Sequence, residues 1–527
     1  MPCALVHAWR YEFLCDDALI ALRYARNLVE HHELVYNIGE RVEGFTSPLW
    51  VFLVSLGGFM GVEAVTVCRY LGGLAAAGTF AALWLFWREL LPARAIWLLL
   101  PVFFLATSTP FAAWTFGGLE TPLFACLLTL SLALIARDVR KPNFHSAWQS
   151  GLAASLCTLC RPEGAVVIVV GACLTAWSLV RRKTSWSAAL AWAAPVIALV
   201  GGYEVFRLSY YGYPLPNTFY VKTSGAGLWD RGLPYIGFAA KELGWPLFVL
   251  ALAAVTVVAG PFALGREWQH NGGSRLAVWI TCVATVIQVV YVARIGGDFL
   301  DLYRFLVPLL PSAFCLLSCG LREILVRGSP WARIAAVLAT LGAIAFHLER
   351  QISMDREASI INSPSRRPFG LEPLEWTRVY GNRWRGIGRW LATIKAPGDS
   401  TAIGAAGSVP YYSGLPNLDL FGLNDVQIAH HGRVIGNRPG HQRFASMDYL
   451  LAKKPTFIFM NPELTPRTHS PLRFDRYWGN AGYVPIEIEV SAALCGCDAA
   501  FFHQFFVRRE RAGDLRARPD VVLGNIY

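Results

Sequence analysis

Asp16 and Asp17 stand side by side at the start of a helix-like stretch, DDALIALRYARNL. A carboxylate in such a place can take a proton from an attacking hydroxyl, so the pair is a candidate for general-base chemistry. The plainer reading is helix capping, since acids at a helix start complement its dipole. At helical spacing Asp16 shares a stripe with Ile20, Arg23 and Asn27, and Asp17 shares the next stripe with Ala21, Tyr24 and Leu28. One acid can therefore cap while its neighbour points elsewhere, and the sequence leaves open which does which.

Further charges follow in NIGERVEGFTSP, where Glu40, Arg41 and Glu43 lie between Gly39 and Gly44. A surface turn or a substrate contact would both use such a segment. Glu120, Arg161, Glu163, Glu204, Arg207, Asp298 and Arg304 all fall beside apolar runs. Charges there are costly unless they pair or line a wet cavity. Arg161 and Glu163 flank Pro162, and Glu204 and Arg207 are three apart, so mutual pairing is the simple alternative for both. Asp298 follows Gly296 and Gly297, where the backbone can bend closely round a ligand. Asn217, Tyr220 and Lys222 lie in YGYPLPNTFYVK, where amide, phenol and ammonium beside rings suit a sugar or a phosphate. Interfacial anchoring is the alternative. VPYYSGLPNLDLFGLND, with Asp419, Asn424 and Asp425, reads first as turn chemistry. His430 and His431 lack the spacing of a zinc-binding HExxH, so they support no metal site; no cofactor is read from the sequence, which leaves a divalent-metal requirement open.

These residues need elements to hold them. Of 527 residues, 54% are hydrophobic and 16% are charged, and mean hydropathy is +0.40. Soluble domains carry about a quarter charged residues, so a multi-pass membrane protein is expected. The formal net charge of +11 is assigned to membrane topology rather than to nucleic acid. The twelve cysteines mostly fall in apolar runs. Cys157 and Cys160 read as core residues rather than a redox or metal pair, and Cys495 and Cys497 are too close for an unstrained disulfide within a strand.

Apolar spans are expected at 64–87, 95–111, 120–136, 147–160, 164–180, 186–206, 244–264, 275–293, 303–320 and 331–347. Pro48–Gly61 is either a further span or an interfacial helix, giving 10–11 in all. Basic residues gather in alternate connections: Arg88 and Arg94; Arg137, Arg140 and Lys141; Arg181, Arg182 and Lys183; Arg266 and Arg275; Arg322, Arg327 and Arg333. That set is expected to be cytoplasmic. The polar motifs then collect on the opposite face, with a C-terminal α/β domain whose strands are expected at 456–460, 484–490 and 501–507. The division is placed at 1–349 and 350–527. No cleavable signal peptide is read, and the first fourteen residues are too short to cross a bilayer.

In order along the chain, DDALIALRYARNL, VYNIGERVEGFTSPLW, GGLETPLFA, RPEGA, YGYPLPNTFYVK and GGDFLDLYRFLVPLLP resemble the AftB-type arabinofuranosyltransferases. These are polyprenyl-phosphate-dependent membrane enzymes of the GT-C fold. The resemblance implies a mostly helical GT-C bundle in the bacterial inner (plasma) membrane. It also implies inverting transfer of D-arabinofuranose, outside the cytoplasm, from a polyprenyl-phosphate-linked donor to a glycan or glycoprotein acceptor. By position it puts the catalytic acid at Asp16 or Asp17. The family carries a transmembrane helix before this pair, for which the numbering here leaves no room. Arg23, Arg41, Lys222, Arg304, Asn217 and Tyr220 become expected donor or phosphate contacts. Glu40, Glu43, Glu120, Arg161, Glu163 and Asp298 become expected positioning residues. A transferase using lipid-linked mannose or aminoarabinose, or a flippase for lipid-linked sugars, is the alternative. Transport would call for polar groups throughout the bilayer depth, which the clustering on one face disfavours.

Overall fold

A computed structural model describes residues 2–90, 95–223, 225, 227–244, 272–360, 370–459 and 476–524. Among these, seven helices are long and apolar enough to cross a membrane: Ala64–Leu90, Thr121–Arg140, Pro162–Val180, Trp186–Tyr211, Arg275–Arg294, Val307–Val326 and Pro330–Ala358. A bent pair, Ile96–Ala106 and Thr109–Thr115, meets at 66° and makes either a broken eighth span or a re-entrant loop. Ser108 caps the second piece by accepting from the Phe111 N–H, and Pro110 sits in its first turn, so the apolar run at 95–111 breaks there. The run at 147–160 forms the 17-residue helix Phe144–Cys160, too short for the same length criterion and closed by Arg161 and Pro162. The expected span 244–264, with Arg94 and Arg266, lies outside the described residues. These differences separate the expected 10–11 spans from the seven or eight observed. The Pro48–Gly61 run is a 12-residue helix, Pro48–Phe59, shorter than a span.

The spans pack through a common core in which Phe86, Phe104, Phe124 and Cys315 are completely shielded. Cys157 and Cys160 belong to it as free, buried thiols. The last span helix, Pro330–Ala358, runs through the division expected at 349/350.

The C-terminal part is an α/β unit, as expected. Among the described residues its eight strands are β1 (Thr401–Ile403), β2 (Asn417–Asp419), β3 (Arg433–Val434), β4 (Arg443–Phe444), β5 (Phe457–Phe459), β6 (Tyr483–Val490), β7 (Phe501–Arg508) and β8 (Val521–Leu523). Six of them form one sheet in the order β2-β1-β5-β7-β6-β8, and β3 and β4 pair separately. β1 runs parallel to β2 and β5, and the other neighbours are antiparallel. β5, β6 and β7 are the three strands read from the sequence, apart from Met460, which lies outside the described residues. The helix Leu374–Ile394 covers the sheet with Trp384, Ile387, Trp390 and Leu391. Cys495 and Cys497 are disulfide-bonded. They lie at the end of a short helix rather than in a strand, and Gly496 between them takes a left-handed φ of +67° that turns the chain back.

Candidate active site

The Asp16–His31 helix begins where the helical bundle meets the α/β unit, and its two acids separate there. Asp16 is buried and accepts two backbone N–H groups, from Gly407 at 3.2 Å and Ser408 at 2.8 Å. It holds the start of a short helix in the α/β unit. The approach is so close that a Cβ on Gly407 would come within 1.9 Å of the Asp16 carbonyl, so glycine is required there. Burial raises the Asp16 carboxyl and the two N–H groups oppose this.

Asp17 leaves 34% of its side chain exposed and lies 4.0 Å from the Arg304 guanidinium. It faces a cavity of about 730 Å³. Burial pushes its carboxyl up to about 6, with Arg304 pulling the other way and Asp16 adding to the rise. The sequence left open which acid caps; both acids line the cavity, but Asp16 is buried and tied to backbone while Asp17 is the more open of the two.

Arg304 is aimed by Asp298, which is fully buried and binds it through two bonds of 2.9 and 3.0 Å. The backbone turns tightly on the N-terminal side of each of them, with Gly296 and Gly297 before Asp298 and Leu302 and Tyr303 before Arg304 all at positive φ. Gly297 has a second reason to be glycine, since a Cβ there would meet the Tyr235 ring at 2.5 Å. Left-handed Leu302 and Tyr303 are strained positions of the kind that collect at functional sites. Arg161 also borders the cavity, bracketed by Glu120 at 2.7 Å and by Glu163. Arg161 and Arg304 each lie over the Phe305 ring, at 4.6 and 4.7 Å. Lys222 faces the same space, and among the described residues its ammonium makes no hydrogen bond or close ion pair, with Asp17 and Asp298 acting on it from farther off. Burial, helped by Arg304, lowers its pKa.

Asp17, Lys222, Arg304, Asp298, Arg161 and Glu163 therefore meet at one cavity. Several expected site residues lie elsewhere. Arg23 is buried, and its guanidinium donates to the carbonyls of Tyr36, Pro410 and Leu415 and to Asn37. Asn217 donates to the carbonyls of Gly422, Leu423 and Asp425. Both hold the α/β unit to the bundle. Glu43 binds Arg207 at 2.7 Å and Tyr203 at 2.6 Å, while Arg207 also takes Glu204. Arg41 lies 4.6 Å over the Tyr210 ring, the Tyr220 ring lies tilted against His430 with centroids 4.2 Å apart, and Glu40 accepts from Asn37. Glu120 reaches the cavity through Arg161 alone.

Polar cavity residues absent from the sequence reading include Glu372, Arg438, His441 and Gln288. Gln288 sits within a span helix, 1% exposed, and neither atom of its amide has a partner among the described residues. Nearby, Val169 and Ile287 line the cavity yet are exposed on the outside of span helices. The cavity thus reaches an apolar flank of the bundle. Among the described residues no group of three or more His, Cys, Asp or Glu could hold a metal ion.

The sequence resemblance is supported by comparison. The chain is 27% identical over 334 residues to the terminal β-(1→2)-arabinofuranosyltransferase of Corynebacterium glutamicum, covering 57% of this chain and 47% of that protein. It is 29% identical over 346 residues to the enzyme of the same name from Mycobacterium tuberculosis, covering 59% and 52%. The chain thus spans about half the length of these relatives. Residues 375–509 match a family described as a domain of unknown function, DUF8728. The fold is similar to that of ArnT from Cupriavidus metallidurans. The structure of ArnT bound to undecaprenyl phosphate matches with a TM-score of 0.52 at 12% identity over 79% of this chain and 83% of that one. The apo structure matches with 0.51 at 11% identity over 97% and 96%. The architecture is a GT-C bundle carrying a C-terminal α/β unit.

Proposed function

We propose that this protein is an inverting glycosyltransferase. It moves D-arabinofuranose from a polyprenyl-phosphate donor to a cell-envelope glycan or surface-protein acceptor. The reaction takes place on the extracytoplasmic side of the inner (plasma) membrane. The observation that carries this reading is Asp17, a carboxylate facing a cavity lined also by an oriented Arg304 and by Lys222, which among the described residues has no hydrogen bond or close ion pair.

The chemistry follows from those groups. The acceptor hydroxyl oxygen attacks the anomeric carbon, and the bond from that carbon to the phosphate oxygen breaks. Asp17 takes the hydroxyl proton, and the bond's electron pair leaves with the polyprenyl phosphate. One base is enough, since phosphate leaves as a stable anion once cations hold it. Lys222 and Arg304 are positioned for that charge, and Asp298 fixes the Arg304 fork. The apolar flank at Val169 and Ile287 suits a lipid chain that stays in the bilayer while its sugar head enters the cavity. The alternation of basic connections supports an outward-facing site, and the named transferases of two actinobacterial species support arabinofuranose. The domain division is proposed at the chain between the last span helix and Leu374.

Asp17→Asn tests this reading. Purified in lipid nanodiscs and given decaprenyl-phospho-arabinose and an arabinan acceptor, the variant should lose about 10²- to 10⁴-fold in transfer rate. Its melting temperature and its binding of decaprenyl phosphate should stay as in the native protein. Full transfer by Asp17→Asn would remove the base and the mechanism with it.

A further inference from the structure

The same cavity is also lined by three residues contributed by two later loops, Glu372, Arg438 and His441. Glu372 precedes the Leu374–Ile394 helix, and its backbone is pinned to the 298–301 segment. Its N–H donates to the Phe299 carbonyl at 2.8 Å, and its own carbonyl accepts from Asp301 at 3.2 Å. Its side chain meets Arg438, whose guanidinium lies 5.2 Å over the Phe299 ring. Arg438 occupies one carboxylate oxygen. Among the described residues the other has no hydrogen-bond partner, and neither does Nε of Arg438.

His441 is set between the Phe299 and Phe421 rings, at 5.0 and 4.5 Å. Its Nδ1 lies 3.0 Å from the Pro439 carbonyl, a contact that needs the proton on Nδ1 and leaves Nε2 an acceptor. Burial and the nearby Arg438 push its pKa down to about 4, so it stays neutral. Trp376 and Tyr380 add aromatic rings to the cavity lining.

The two sets of lining residues therefore differ in chemistry. Lys222 and Arg304 suit an anion. A carboxylate oxygen and a neutral imidazole accept from hydroxyls, a guanidinium nitrogen donates, and the rings give faces on which the C–H side of a sugar can rest. A free carboxylate oxygen would repel a phosphate. We propose that Glu372, Arg438 and His441 form the acceptor subsite, in which Glu372 orients the hydroxyls of a neutral glycan toward Asp17. This rests on the glycosyltransferase reading above and adds where the acceptor binds and which residue selects it.

The test uses the full chain in nanodiscs with two probes, the methyl glycoside of an arabinofuranosyl trisaccharide and decaprenyl phosphate without sugar. Intrinsic tryptophan fluorescence reports each Kd. Glu372→Gln should weaken the trisaccharide by about tenfold or more and leave decaprenyl phosphate unchanged. In transfer assays it should raise the acceptor KM far more than it lowers kcat. Burial pushes the Glu372 carboxyl up to about 7, so native trisaccharide affinity should fall as pH drops through that value, while Glu372→Gln should be flat. His441→Phe, a smaller change between two rings, should weaken the same probe alone and serves if Glu372→Gln misfolds. The proposal is overturned if native protein does not bind the trisaccharide, if both variants bind it normally, or if both probes weaken equally. Loss of decaprenyl phosphate binding in the native protein would instead overturn the donor reading, with the trisaccharide arm still deciding this one.

Discussion

The seam between bundle and α/β unit and the cationic wall of the cavity both hold buried polar groups, and they differ in how those groups are met. At the seam every principal group has its partners in the chain. Asp16 takes two N–H groups, Arg23 gives hydrogen bonds to three carbonyls and an amide, and Asn217 gives to three carbonyls. At the wall, Lys222 makes no hydrogen bond or close ion pair among the described residues and Asp17 touches Arg304 only at 4.0 Å. A buried polar group that is fully satisfied specifies architecture. One left short beside a cavity is poised to be satisfied by something else.

The widest gap should open between neighbouring residues. Asp17→Asn should cost the transfer rate about 10²- to 10⁴-fold with little change in stability. Asp16→Asn should do the reverse. It replaces a charged acceptor of two backbone N–H groups, one of them at a helix start, and should lower stability by about 1–3 kcal/mol. Transfer should then fall only in step with the folded fraction. Thermal unfolding and initial rates on both variants read the two effects apart. Equal losses of activity at full stability would erase the distinction between seam and wall.

Next in size is Arg23→Ala. The side chain is 4% exposed, and its removal strands three carbonyls and a cavity. A loss of about 3 kcal/mol or more is expected, seen as early loss of the α/β unit to protease. Decaprenyl phosphate affinity of the protein that remains folded should be unaltered.

The sequence carried the ionic residues of the wall because an acid or base beside an apolar run is conspicuous whatever its partner. It carried β6 and β7 because eight-residue runs rich in β-branched and aromatic side chains are a strong local signal. It did not carry β1 and β2, which are three residues each and exist through parallel pairing with each other and β5. Arg23 and Asn217 looked like ligand contacts because their partners, carbonyls nearly 400 and about 200 residues away, leave no local trace. Glu372, Arg438 and His441 went unread for the same reason. Each is an ordinary loop residue until the α/β unit folds back over the 298–304 turn.

Lys222→Ala is a smaller probe of the wall. Removing one ammonium that lacks a close partner should weaken decaprenyl phosphate by about tenfold, a hydrogen bond to a charged group. Trisaccharide affinity should hold, opposite to Glu372→Gln. Loss of both together would mean that the two sets of lining residues act as one site.

The smallest effect concerns pH. Asp17 must be ionised to take a proton, and burial places its pKa at about 6. Transfer should therefore be constant at neutral pH and fall about tenfold per unit below 6. The position of that limb should respond to the charges around it. Arg304 holds the Asp17 pKa down and Asp16 holds it up, so Arg304→Met should move the limb to higher pH. Asp16→Asn, with the seam otherwise intact, should move it slightly lower. A rate profile for Asp16→Asn that kept its limb in place would show that the seam carboxylate is electrically remote from the base next to it. Loss of the limb altogether would show that Asp16, and not Asp17, is the group that titrates.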